Sequence, residues 1–155
     1  MKNLEFENII EENLTTVLMF AFSQRNLTEH LLAKKGKTWE DLSTVLTNTS
    51  SARAKRAAIE LGIILRLLDD GGQVPDFLHD TKEISLGLIV GGKESGQELS
   101  AREMSNKIVH SRELIWDLEL PRKPRLICIS NQPERWESAE IDILELALLC
   151  KILMS

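Results

Sequence analysis

This chain is poor in the residues that mark many functional classes. Its two cysteines, Cys128 and Cys150, form no CxxC pair and sit among apolar neighbours. That pattern predicts two buried, reduced thiols well ahead of a disulfide or a metal ligand. The three histidines, His30, His79 and His110, are scattered with no metal-ligand spacing, so no metal and no cofactor is expected. No apolar run approaches the ~20 residues of a membrane span. The first residues, MKNLEFENIIEEN, are acidic and amphipathic, unlike a signal or transit peptide, which predicts a cytoplasmic protein. A basic excess is also missing. With 24 Asp and Glu against 19 Lys and Arg, the net charge is −5 and the pI is near 5.3. A generic nucleic-acid binder needs the opposite balance, because affinity for phosphates comes from cations that displace counterions. There are no internal repeats, no low-complexity segments and no Ser-His-Asp or Cys-His arrangement.

What is present is the material of one ordinary domain. A chain of 155 residues, 43% apolar and 28% charged, is long enough to bury a core. Phe6, Ile9, Ile10, Leu14, Val17, Leu18 and Ala21 follow the i, i+3, i+4, i+7 pattern of an amphipathic helix. Residues 27–47 read as two shorter helices broken at Gly36, the second capped by Thr38 with Asp41 at the capping-box position. Ser50 and Ser51 offer a cap for a third helix running to about Asp69, before the break DDGGQVP. Its centre, AAIELGIILRLL, is apolar on most faces and so belongs in the core.

After Pro75 the pattern changes. Residues 83–90, EISLGLIV, read as a strand or a helix, and GGKESGQ as a loop. Leu99, Met104, Ile108 and Val109 return to helical spacing. Leu114, Trp116, Leu118 and Leu120 then share one face, as in a half-buried strand. PRKP turns the chain into a second strand, RLICIS, and Pro133 opens a last helix over about 134–153. The expected fold is an α-rich α+β single domain, 1–155, of about five to six helices with a small antiparallel hairpin at about 114–130.

Three motifs fail on chemistry. Gly87 to Lys93 nearly matches a phosphate-cradling loop, but Glu94 stands where a hydroxyl must hold magnesium. LTEHLLAKKGKTWEDLSTVL has the outline of a helix-turn-helix, yet its second helix opens on Glu40 and Asp41 and carries no Arg, Asn or Gln to read bases. Asp69 and Asp70 end a helix beside glycines, where turn formation accounts for them. Trp116 and Trp136 fit core positions, and Trp39 fits either core or a partial contact.

The stretch REMSNKIVHSRELIW is different. Arg102, Asn106 and His110 recur at four-residue steps, so on a helix they share one broad face. Histidine moves protons near neutral pH, and a guanidinium can hold a phosphate as charge builds. Within this stretch SNKIVH, Ser105 to His110, resembles the R-N-x-x-x-H signature of HEPN-domain proteins. That resemblance implies an α-helical fold. It also implies either a metal-independent ribonuclease of toxin–antitoxin, CRISPR or phage-defence systems, or a relative that serves as a binding or scaffold domain. It makes Asn106 the polar residue and His110 the catalytic histidine. The arginine of the signature falls on Ser105, and Arg102, ~12 Å of helix rise from His110, is the nearest substitute. A plainer reading gives His110 the task of satisfying carbonyls at a helix C-terminus, with Asn106 bonded to the following loop.

The leading expectation is therefore a small non-enzymatic bacterial interaction protein. It would be an antitoxin or immunity protein whose acidic surface neutralises a basic nuclease toxin by direct binding. Glu5, Glu7, Glu11, Glu12, Glu40, Asp41, Asp69 and Asp70 are the candidate partner-binding residues. The alternative is a HEPN-type endoribonuclease acting on RNA through His110, Asn106 and Arg102, with a site completed across a homodimer.

Overall fold

The computed structural model describes residues 4–72, 74 and 84–155. His79 and the break around Pro75 lie outside them. Two long helices open the chain, α1 over Leu4–Leu32 and α2 over Lys37–Asp70. Ile10, Leu14, Val17 and Ala21 of α1 are buried against Ala54, Ala57, Ala58, Leu61, Leu65 and Leu68 of α2. Each large apolar side chain removed from water in this way contributes roughly 1.5–3 kcal/mol before the entropy of ordering it. Small residues at 54, 57 and 58 occupy the middle of this interface. Beyond it, from Phe22 to Arg53, no described side chain is buried, so the outer part of the helical hairpin projects from the core.

The break at Gly36 is there, but the helices on either side are longer than expected. Gly36, at φ 118°, precedes α2 with no side-chain cap, so Thr38 does not serve as one. Ser50 and Ser51 do not start a new helix either; α2 runs through them for 34 residues in all. No proline interrupts that segment, its one glycine, Gly62, lies well past Ser51, and its hydroxyls are taken up locally. Thr44 donates to the carbonyl of Glu40, and Thr47 accepts from Gln24 of α1 at 2.9 Å. A residue able to cap a helix does so only where the backbone already turns.

The rest of the chain alternates. Strand β1 covers Gly87–Val90, α3 Ala101–Val109, β2 Glu113–Asp117, β3 Arg125–Ile129, β4 Ser138–Asp142 and α4 Ile143–Met154. The strands form one antiparallel sheet in the order β1-β4-β3-β2. Thus the described residues hold four helices rather than five or six. The pair expected at 114–130 is no free-standing hairpin but one side of a four-stranded sheet. The last helix starts at Ile143 instead of near 134. Residues 138–142 alternate, with Ala139 and Ile141 buried, and Asp142 then caps α4 by accepting from the amides of Leu144 and Glu145.

Gly87 lets β1 approach β4 closely, at φ 148°; a Cβ there would lie 1.9 Å from the Glu140 carbonyl oxygen. The glycine-rich loop then folds back on β1, with Ile89 donating to Gln97 and Leu99 to Gly87. One sheet face, with Ile89, Leu114, Leu126, Cys128, Ala139 and Ile141, joins the helices in a single buried cluster. Among the described residues no helix is long and apolar enough to cross a membrane. The chain is α+β.

Candidate functional site

Helix α3 is placed by its sequence at both ends. Ser100 caps it by accepting from the amide of Glu103 at 3.1 Å, and Ala101, Met104, Ser105 and Ile108 turn into the core. Gly62 of α2 faces this helix; a Cβ there would lie 3.2 Å from the Ile108 side chain. That close approach sets α2 antiparallel beside α3. Successive turns then bring Gly62 to Ile108, Arg66 to Asn106, and Asp69 with Asp70 to Arg102.

The signature residues separate in this arrangement. Ser105, at the arginine position of the HEPN motif, is 1% exposed and donates its hydroxyl to the Ala101 carbonyl at 2.9 Å. Arg102 lies 2.6 Å from Asp69 and 2.8 Å from Asp70. The hydrogen bond from Arg102 is the main reason the Asp70 carboxyl is held below the ordinary carboxylate range. The bonds to Asp69 and then Asp70 raise the Arg102 guanidinium in turn. Asn106 does not bond to the following loop; its Oδ1 accepts from Arg66 Nη1. His110 closes α3 through its backbone N–H, which donates to the Asn106 carbonyl at 2.9 Å. Its imidazole is exposed and makes no hydrogen bond among the described residues.

Asn106 and His110 open on a cleft of about 330 Å³, lined also by Arg66, Glu103, Lys107, Asn131, Gln132, Arg135 and Trp136. Arg102 is not among its walls. The far side is the loop between β3 and β4. Ser130 holds that loop by accepting from Gln132 N at 2.8 Å, and Trp136, 5% exposed, anchors it in the core. Lys107 is buried but well satisfied, 3.3 Å from Glu94, 3.6 Å from Glu103 and 4.4 Å above the Trp136 ring. Arg135 shares Glu94 at 3.2 Å. Three cations thus stand against one carboxylate in the cleft wall, with Glu94 behind them. Counting their ion-pair partners Glu94, Glu103 and Asp70, the three cations are matched one for one.

The acidic residues named for a partner do not form one face. Glu5, Glu11 and Glu12 are exposed and Glu7 half-buried on the first half of α1, while Glu40 and Asp41 are exposed at the start of α2. Measured from the Gln24–Thr47 contact, Glu11 and Glu40 lie in opposite directions, ~30 Å of helix rise apart. Asp69 and Asp70 are engaged by Arg102. Of the tryptophans, Trp116 packs on Phe20 at 5.1 Å between centroids, and Trp39 is exposed with Lys34 over its ring at 5.7 Å.

Sequence reading named His110 and Asn106 but missed Arg66, Arg135, Asn131 and Gln132. The one available signal for Arg66 was a lone cation inside the apolar run GIILRLL. No group of three His, Cys, Asp or Glu side chains among the described residues is placed to hold a metal ion. No protein-family model, no curated protein and no solved structure matches this chain.

Proposed function

We propose that the chain is a metal-independent endoribonuclease, sharing with HEPN proteins the Asn106 and His110 pair but not their all-helical fold, that binds single-stranded RNA in the cleft beside His110. The observation that carries this reading is the unengaged His110 imidazole, open on the same cation-lined cleft as Asn106. Histidine exchanges protons near neutral pH, so His110 is suited to take the proton from a ribose 2′-hydroxyl. The resulting alkoxide attacks the adjacent phosphorus and the bond to the 5′-oxygen breaks. The products are a 2′,3′-cyclic phosphate and a 5′-hydroxyl, with the leaving oxygen protonated by water. Cations in the cleft wall offset the charge that builds on the phosphate.

The test is cleavage of a labelled RNA in EDTA, with the product ends identified. The parent is expected to yield cyclic phosphate ends, and a folded His110→Ala variant to lose about 10²–10⁴ in kcat. Intact RNA with the parent, together with no binding of a short single-stranded oligonucleotide, overturns the reading. A second reading, an antitoxin or immunity protein that neutralises a basic nuclease, draws support from the adjacent pairs Glu11 with Glu12 on α1 and Glu40 with Asp41 on α2, each taken as a separate patch. These are exposed and hold no ion pair among the described residues. Salt-sensitive binding of such a nuclease, beside intact RNA, would move the assignment there.

A further inference from the structure

The geometry points to Arg66 as the residue that holds the RNA phosphate, in place of any arginine on α3, with Asn106 acting as its positioning residue. This inference rests on the reading of the cleft as an RNA site and adds the identity of its phosphate ligand.

The other candidate positions near the cleft are 102, 105 and 107 on α3 and Arg135 in the β3–β4 loop. Position 105 cannot supply a cation, because the serine there is buried and its hydroxyl is spent on a backbone carbonyl. Arg102 is outside the cleft and neutralised by two carboxylates at 2.6 and 2.8 Å, so an incoming phosphate would meet more negative charge than positive. Lys107 is buried and tied to both Glu94 and Glu103, which fits it to build the wall, while Arg135, 61% exposed across the cleft in the β3–β4 loop, spends its Nε on Glu94.

Arg66 is ion-paired too, but only to a carboxylate that Arg102 already holds. It lines the cleft with a partly exposed side chain, 35% accessible, and arrives from α2 one turn along from Gly62. Asn106 fixes its guanidinium through Nη1. Asp70, already engaged by Arg102, pairs with its Nε at 3.4 Å. Nη2 donates to nothing among the described residues. A guanidinium held at one corner with donors to spare is preorganised for a phosphate, since little rotamer freedom is left to lose on binding. Asn106, ~6 Å of helix rise from His110, sets the distance between that cation and the proton-transfer group. On this account the polar residue of the motif works on the arginine rather than on the substrate.

The experiment measures oligonucleotide affinity by fluorescence anisotropy between about 50 and 200 mM salt, with kcat and KM for the same RNA. Inorganic pyrophosphate, followed by amide and guanidinium NMR shifts, serves as a phosphate-only probe. Arg66→Gln is expected to weaken RNA binding at least tenfold and to flatten the salt slope by about 0.7, the share of one phosphate contact on a single strand. Arg122→Gln, at an exposed arginine outside the cleft, should stay within about twofold of the parent. Asn106→Ala should lose activity alone but almost nothing further in the Arg66→Gln background, because coupled residues are not additive. Arg66→Lys keeps the charge and should keep the slope while losing turnover; it carries the test if Arg66→Gln does not fold. Unchanged affinity in Arg66→Gln, or full activity in Arg66→Lys, overturns the inference and leaves the RNA reading standing. Pyrophosphate binding that needs Arg66, with RNA ignored, supports Arg66 and overturns the RNA reading. A parent that binds neither overturns both.

Discussion

A carboxylate that accepts a hydrogen bond from a guanidinium stays charged to lower pH than one in water, and Asp117 is in that position. The bond from Arg125 holds its carboxyl below the ordinary carboxylate range, with the Glu119 amide and Arg122 adding to the effect against the opposing cost of burial. A depressed folded-state value means stability that is present above the unfolded value, about 4, and is lost as pH falls through the folded one. Asp117→Asn should therefore cost roughly 1–2 kcal/mol at pH 7, and the cost should shrink as pH falls below the unfolded value of about 4, as read from urea midpoints of parent and variant. Residues of this kind are invisible in sequence, because Asp117 and Arg125 meet only through strand register. The candidate site was half legible for the same reason. Asn106 and His110 lie four positions apart on one helix, where spacing alone brings them together. Arg66 comes from another helix, and the small residue that lets that helix come close, Gly62, reads in sequence only as a weak point.

Among the elements, those with a single strong period were readable and those sharing a period with a neighbour were not. The apolar spacing of α1 and α3 survives folding almost unchanged. Strand β4 was missed because Ile141, Ile143 and Leu146, in IDILEL, fit a helix as easily as a strand followed by a helix. What decides there is Asp142, a strong N-cap that ends the strand and starts α4 with two hydrogen bonds at 2.9 and 3.1 Å. Asp142→Ala should cost about 1 kcal/mol in denaturant unfolding and speed hydrogen exchange first at the amides of Leu144 and Glu145. An unchanged midpoint with unchanged exchange would show that the boundary is fixed by packing of Ile143 and Leu146 instead. The pairing of β1 with β4 joins segments some fifty positions apart, and no local signal announces it.

At the scale of the whole molecule, one α+β core was foreseeable from composition and length, while the sheet order and the projecting helical hairpin were not. Both cysteines are part of that core. Cys128 lies in β3 and Cys150 in α4; each is 0% exposed, and burial pushes each thiol up to about 12. A thiol reacts as its thiolate, so near pH 8 only about one part in ten thousand of each is in reactive form while the fold is closed. The pair is therefore a chemical clock for opening. A small alkylating reagent should leave the native protein unlabelled for long periods and modify both sites at once in denaturant. If sheet and last helix come apart together, mass spectrometry will find the two sites labelled at the same slow rate under native conditions. Faster labelling at Cys150 would mean that α4 peels away first. A cysteine introduced on the surface could then carry a dye or spin label with the natural pair staying silent.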